Sequence, residues 1–504
     1  MEANKRVFIN TIAQYTKALI NTILSLYTVR LILSALGQED YGIFSLIAGV
    51  IALLGFVQNA LVITTQRYLS YQYGKDNKDE LQKIFSNSLI LHIFIAVLLA
   101  VLMLICKDYL CMTFLNINGS RRGAAEIVYV MAVGMMFATF ISAPFKALFI
   151  ARENIVFISV IEVIDGVLKF SLALILLGLN IDKLITYSIM MMGIITFEFI
   201  SYLGVAISKF EECKPSTILQ DYDKVIIRNL AGFAGWTTYG MAAIILRTQG
   251  LAILLNKFYG TVMNAAYGIA TQAYGAVSFV ATSIINAMNP QIMKAEGGSN
   301  RNKMLFLASK ESKFVVVMMS VLFIPLIFEM DAILKAWLGN VPTYASFFTQ
   351  CLLISYLIDQ TTYGLHTANQ AIGNIKVYTL IMYTPKLLIL PVCLAILYGG
   401  LGVKCVMGVY LLVEFAVAMA RLPYLKKTAG LEVINFIKTI LVRQILTVAL
   451  ISGISLGVHH ISSSPLRFLY TVPIDVLLGL PVAWFVSLDK IEKQQFKKII
   501  KINK

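Results

Sequence analysis

Apolar residues fill this chain in about 14 long stretches parted by short polar turns. About 20 helical residues cross the hydrocarbon core of a bilayer, so each stretch is long enough to span one. The predicted segments run roughly 8–34, 41–66, 85–106, 124–150, 154–178, 184–208, 228–256, 261–292, 313–336, 345–373, 376–398, 401–424, 438–460 and 466–488. Only Ala151-Arg152-Glu153 separates the fourth segment from the fifth, and only Asn374-Ile375 the tenth from the eleventh. Each of those pairs must close as a tight helical hairpin. The pattern therefore predicts an all-α polytopic membrane protein.

A shift of about 220 residues brings two parts of the chain into register. SAPFKALFIARENIVFISVIEVIDGVLKFSLALILLGL from Ser142 falls on TTYGLHTANQAIGNIKVYTLIMYTPKLLILPVCLAILYGG from Thr361. Asn154-Ile155 meets Asn374-Ile375, Ala151 meets Ala371, and Lys146 meets His366. A looser echo joins Leu36-Gly37…Tyr41-Gly42 to Tyr259-Gly260…Tyr267-Gly268. Six helices per repeat is an even number, so both repeats keep one orientation and their pseudo-twofold axis runs along the membrane normal. The expected division is a six-helix lobe at 1–210, a second at 211–427, two extra spans at 428–489 and a basic tail at 490–504.

Charge adds orientation. One set of connections carries about 27 Lys and Arg and the alternate set about eight, a bias that puts both termini in the cytoplasm. The tail KIEKQQFKKIIKINK reads as a basic amphipathic anchor on anionic lipid. A formal net charge of +15 would suggest nucleic acid for a soluble protein. Here the excess serves topology, and no nucleic-acid-binding motif accompanies it. No connection is long enough to fold as a catalytic domain, so any function lies in the membrane region. The amino end lacks the apolar core and small-residue cleavage site of a signal peptide. The six cysteines are scattered without a CxxC pair and read as packing residues; Cys106 and Cys111 are near enough in sequence to pair, although nothing requires it.

Seven basic residues lie at least four positions inside the ends of predicted spans: Lys17, Arg30, Lys146, Lys169, Arg247, Lys386 and Arg443. Each costs roughly 2.5–3.5 kcal/mol at a helix centre unless it is paired or wetted. Lys17, Arg30, Arg247 and Lys386 are the candidates for a cationic, substrate-binding cavity. Arg30 and Arg247 lie at matching depth in matching repeat helices, and Lys386 follows the helix-kinking Pro385. Arg443 reads instead as snorkelling to the lipid head groups. In the fifth segment Asp165 and Lys169 stand i,i+4 and can pair. Glu162 lies one turn away and within reach of Lys146. This four-charge cluster reads either as a self-neutralising structural network or as an ion-coupling site. Asp359, followed by the polar Gln360-Thr361-Thr362, is a second coupling candidate on what reads as a wet face. Glu414 and Asp475 are expected to partner Lys or Arg across helices.

The run RLILSALGQEDYGIFSLIAGV from Arg30 resembles the first hairpin of bacterial polysaccharide flippases. Asn289-Pro290 closing the eighth segment before a basic loop, the ~14 spans and the two-lobe repeat fit the same family. The resemblance is to the Wzx-type branch of the MOP superfamily, whose other branches include MATE exporters and the lipid II flippase. It implies a MATE/MOP-like fold in the bacterial cytoplasmic (inner) membrane. It also implies alternating-access transfer of an undecaprenyl-diphosphate-linked oligosaccharide to the outer leaflet, for surface polysaccharide such as O-antigen. The implied partners are that polyprenyl-diphosphate-linked glycan, membrane lipids and other polysaccharide-assembly membrane proteins. Arg suits the cargo's phosphates, because its planar fork gives paired hydrogen bonds.

Two alternatives stay open: a cation-coupled multidrug exporter of MATE type, for which an acid-rich interior is expected, and a membrane glycan polymerase or ligase, for which a large catalytic outer loop is expected. The chain shows no Walker A loop, no GxGxxG and no metal-ligand set among its four histidines. It is read as a non-enzyme without a cofactor or metal, with coupling to a proton or sodium gradient left open.

Overall fold

The computed structural model describes all residues except 1, 53, 110–118, 215–221, 460–465, 491 and 495–504; side chains at 2–8, 26, 38, 50, 52 and 119 are also outside the description. Cys111 and most of the basic tail therefore lie outside the described residues. Every regular element described is helical. In chain order these are α1 (Glu2–Ala52), α2 (Gly55–Lys75), α3 (Lys78–Ile105), α4 (Arg122–Ala151), α5 (Ile155–Leu177), α6 (Lys183–Lys209), α7 (Lys224–Tyr259) and α8 (Thr261–Gly297). There follow α9 (Arg301–Phe328), α10 (Met330–Leu338), α11 (Ala345–Gln360), α12 (Tyr363–Ile372), α13 (Ile375–Tyr398), α14 (Val403–Ala429), α15 (Val433–His459) and α16 (Phe468–Ser487). The chain is a multi-pass membrane protein.

Eleven described helices are long and apolar enough to cross a membrane, against about 14 segments expected. The other three segments are present as helix with a physical reason for falling short. The second is divided between the end of α1 beyond Gly37 and the start of α2, so neither piece is long enough alone. The fifth, α5, carries Glu162, Asp165 and Lys169. The tenth is split into α11 and α12 at Thr361-Thr362. Large apolar side chains lie open along the spans, as at Phe94, Leu98, Leu102 and Ile105 of α3. A soluble fold would bury such a stripe; lipid covers it here.

Two compact units are present, Met1–Thr238 and Tyr239–Lys504, and the division falls inside α7. In the first, α4 is the hub: its buried face packs beside α2, α3 and α6, and Tyr129 donates its hydroxyl to the Met103 carbonyl at 2.8 Å. In the second, α9 is the most enclosed of the eleven spans and packs against α8, α12 and α15.

The repeat seen in the sequence recurs in the backbone. Gly37 bends α1 at φ 77, ψ 174, and Gly260 opens α8 at φ 81, ψ −176. Between α2 and α3, Asp76 is left-handed and Asn77 caps α3 by accepting from the Glu80 amide. Between α8 and α9, Ser299 is left-handed and Asn300 accepts from the Lys303 amide. The predicted tight hairpins match likewise: left-handed Glu153 precedes Asn154, and left-handed Gly373 precedes Asn374. Three different turns thus share one conformation between units, which composition alone would not produce.

At the end away from the basic loops, Arg121 ties the first unit together. It holds Asp40 through Nε and Nη2 at 2.7 and 2.5 Å, and Asp182 through Nη1 at 2.7 Å. Asp182 also caps α6, accepting from the Leu184 and Ile185 amides. Hydrogen bonds from Arg121 hold the Asp182 carboxyl below the usual carboxylate range against the opposing effect of burial, and the Ile185 and Leu184 amides add to the lowering.

Two tests follow from this frame. Gly37 and Gly260 sit in a region of backbone space essentially closed to other residues, and open space surrounds the position of an added Cβ. Gly37→Ala or Gly260→Ala should therefore cost about 1–3 kcal/mol through the backbone alone, read as a lowered melting temperature in detergent; an unchanged melt refutes the assignment. For the Arg121 clasp, a lowered folded-state pKa gives stability that is present above the unfolded value of about 3.9 and lost as pH falls through the folded one. Arg121→Ala should cost about 1 kcal/mol near neutrality and reduce the acid-side loss of melting temperature. An identical acid dependence in the variant would show that the clasp contributes nothing.

Candidate functional site

Charges buried in a bilayer must find partners, and in each unit they do so around acidic nodes. In the first unit the node is Glu162 of α5. Lys17 of α1 reaches its Oε2 at 2.6 Å and Lys146 of α4 its Oε1 at 2.5 Å. Asn21, one turn beyond Lys17, donates to the Glu162 backbone carbonyl at 3.1 Å and fixes α1 against α5. Lys169 pairs with Asp165 at 2.7 Å, the i,i+4 partnership expected from the sequence. Glu198 of α6 adds a further acid facing Lys146. Three ammonium groups thus meet three carboxylates, all part-exposed, and the cluster is balanced. Lys17 belongs to this network, a partnership the sequence reading did not foresee. Arg30 stands apart, exposed on α1 with no hydrogen bond or ion pair among the described residues.

The second unit holds a deeper cluster. Glu414 of α14 receives Arg247 of α7 through Nη1, and the Arg247 guanidinium lies 4.5 Å from the Tyr410 ring centre. Lys386 of α13 is set between two acids, 2.7 Å from Glu414 Oε2 and 3.3 Å from Asp359 Oδ1. Arg421 of α14 completes the group, with Nη2 on Asp359 Oδ1 at 2.6 Å. Its Nη1 donates to the Asp359 carbonyl at 2.8 Å and to the Thr362 hydroxyl at 3.2 Å. Arg247, Lys386, Glu414 and Arg421 are 7%, 5%, 2% and 3% exposed. Three cations therefore face two carboxylates in an almost dry setting.

The local sequence explains this placement. The break at Thr361-Thr362 frees backbone carbonyls at the end of α11. Arg421 takes the one at Asp359, and Gln444 of α15 donates to the one at Thr361. The Gln360-Thr361-Thr362 stretch is thus a helix break enclosed in protein, with Gln360 and Thr362 buried, not the wet face read from its polarity. Arg421, one of the cations assigned to the connections on sequence, is a buried member of the cluster, although Lys426 and Lys427 follow it by only five and six positions. Glu414 partners Arg247 and Lys386, as expected of an acid at that depth. Asp475 is buried beside Ser455. Arg443 is half-exposed, with Nη1 near the Ser487 carbonyl at 3.5 Å. His366, the repeat counterpart of Lys146, bonds Tyr378 and Gln370.

These helices and turns can be compared with known proteins. Residues 17–175 match the MatE family. Among solved structures, a MATE transporter in the bent conformation aligns with TM-score 0.70 at 14% identity, over 86% of this chain and 98% of the other. An outward-facing multidrug resistance MATE transporter of the MOP superfamily aligns with TM-score 0.63 at 15% identity, over 87% and 97%. A MOP superfamily transporter from Pyrococcus furiosus, described by a reversed polarity of its binding pocket, gives TM-score 0.69 at 13% identity, over 86% and 96%. No curated protein sequence matches the chain. The chain has the fold of MATE/MOP transporters.

Removing one member of a buried charge cluster leaves its partner unpaired, at a typical cost of about 3–5 kcal/mol. Arg421→Ala should fall toward the lower end of that range, because it leaves the Asp359 carboxylate to Lys386 alone and strips the free Asp359 carbonyl of its donor. Lys17→Ala, in the part-exposed cluster, should cost clearly less. Thermal unfolding of the two purified variants in one detergent checks the order, and a reversed order overturns the assignment of the dry cluster.

Proposed function

We propose that this protein is a transporter that carries an anionic, lipid-linked passenger across the bacterial cytoplasmic membrane by alternating access, with both termini inside. The passenger best suited is a polyprenyl-diphosphate-linked oligosaccharide, moved from the inner to the outer leaflet for surface polysaccharide assembly. One observation carries the reading: the buried cluster of Arg247, Lys386 and Arg421 against Asp359 and Glu414 keeps one cation more than its acids neutralise. A phosphate is a fitting partner for that surplus, since guanidinium and ammonium groups replace its water with charge-assisted hydrogen bonds. The polyprenyl tail stays in lipid, so only the head group needs such replacement. No chemical transformation of the cargo is involved, and a proton or sodium gradient supplies the drive.

A MATE-type multidrug exporter is the second reading, favoured by the match of residues 17–175 to the MatE family. It calls for an acidic interior, and the first unit's balanced cluster offers more to it than the second unit's basic one.

Reconstitution in liposomes separates the readings. One arm follows a labelled polyprenyl-diphosphate oligosaccharide, the other a fluorescent cationic drug. Lys386→Ala and Arg247→Ala should each cut glycolipid transfer about tenfold or more, the loss of a single charge-assisted contact of some 1.5–3 kcal/mol, while Arg443→Ala leaves it near wild type. Arg247→Lys, which retains the charge, separates a binding loss from a folding loss. Equal transfer by all three alanine variants, or export of the cation alone, refutes the anionic-cargo reading.

A further inference from the structure

Two buried acids of the second unit, Asp475 of α16 and Glu311 of α9, form no ion pair among the described residues; Asp475 faces Ser455, and Glu311 is the more enclosed. Glu311 of α9 is 0% exposed. Its Oε1 lies 3.0 Å from the Thr367 hydroxyl of α12, and its Oε2 has no hydrogen-bond partner. The same Thr367 hydroxyl lies 3.1 Å from Asn289 Oδ1 of α8. A threonine has one hydroxyl hydrogen to give. Whichever way the Asn289 amide is turned, Glu311 receives at most one neutral hydrogen bond. An ionised carboxylate in that setting is costly enough that a cation or a proton must accompany it.

The paired acids of this unit show what accompaniment looks like. Asp359 and Glu414 hold the cluster cations, Glu296 holds Arg301, Glu329 holds Arg467 and His459, and Glu492 holds Lys310 and Lys313. Lys310 and Lys313 are Glu311's own neighbours, and both turn away to Glu492 at 3.6 and 2.7 Å. Charged and titratable groups on the packed elements are likewise engaged elsewhere. On α12, His366 bonds Tyr378 and Gln370, and Tyr363 lies beneath the Arg421 guanidinium. On α15, Arg443 turns to Ser487, and on α16, Asp475 faces Ser455. Water is excluded on the α12 side by close packing: a Cβ on Gly364 would lie 1.9 Å from the Ala308 carbonyl, and the Gly364 amide donates to Ser312. Asn289, which meets the Thr367 hydroxyl, is itself only half-buried.

We infer that Glu311, with Thr367 and Asn289, forms a site for an exchangeable proton in the second unit, separate from the charge cluster around Lys386. The proton sits on Oε2, Thr367 donates to Oε1, and Asn289 relays exchange with solvent. Occupancy of the site follows from the geometry alone; its use in driving cargo rests on the transport reading above.

The test uses the full-length protein in lipid nanodiscs and dicyclohexylcarbodiimide, which modifies protonated carboxyls in apolar surroundings. Mass spectrometry of the peptide containing Glu311 should show modification at low pH, falling about tenfold per pH unit above the midpoint of a single-proton titration, and unaffected by added sodium chloride. Glu311→Gln should abolish the adduct, and Thr367→Val should alter its pH profile. No adduct at any pH, or protection by sodium but not by potassium, overturns the proton site, the latter in favour of a sodium site. An adduct in a protein whose glycolipid transfer ignores the pH gradient keeps the site and removes its coupling role.

Discussion

The cost of an unpaired charge in hydrocarbon governs how this chain is built. Glu162 joins α1, α4 and α5; Glu414 joins α7, α13 and α14; Asp359 joins α11, α13 and α14. Between apolar helices in lipid, no hydrophobic force selects one azimuth over another. A carboxylate that must meet two cations does select one. The acids therefore define which helix faces meet, while close packing, as at Gly364, sets the spacing.

The two units share a backbone solution and diverge in chemistry. Gly37 and Gly260 make the same turn, as do Asp76-Asn77 and Ser299-Asn300, and Glu153-Asn154 and Gly373-Asn374. Side chains are free to differ once the turns are fixed. Lys146 binds an acid where its counterpart His366 bonds a tyrosine. The first unit ends charge-balanced and part-exposed; the second ends with a cationic surplus that is almost dry.

Much of the fold was legible because span length and turn chemistry are local. The tight hairpins at Glu153-Asn154 and Gly373-Asn374 followed from the lack of residues to make anything longer. The Asp165–Lys169 pair followed from helical spacing, and Lys146–Glu162 from equal distances to a shared turn. Partnerships such as Arg247–Glu414, 167 positions apart, were not legible, since hydropathy gives depth without azimuth. Short polar runs misled in one consistent way. Lys310-Glu311-Ser312-Lys313 reads as solvated loop and Arg421 as a flanking loop cation, yet both lie inside long helices, α9 and α14, where Lys310, Lys313 and Arg421 find acidic partners. Lys313 and Glu492 satisfy each other at 2.7 Å across 179 positions, so neither alone signals burial.

Magnitude bears on the choice between cargoes. Two unit charges 4 Å apart at an effective dielectric near 20 interact by about 4 kcal/mol. One surplus cation in the second unit would thus disfavour a cationic drug near Lys386 by about that much and favour a phosphate by a similar amount, before desolvation. The difference between the two cargoes is about twice either value, several orders of magnitude in occupancy. Desolvating a diphosphate consumes part of the gain, but a drug cation would be desolvated as well, without any attraction to offset it. A proton on Glu311 leaves this sign unchanged, because it neutralises an acid and takes none of the cluster's cations. Protonation there raises the unit's net positive charge by one, so if the site fills and empties during transport, affinity for an anionic head group would rise and fall with it.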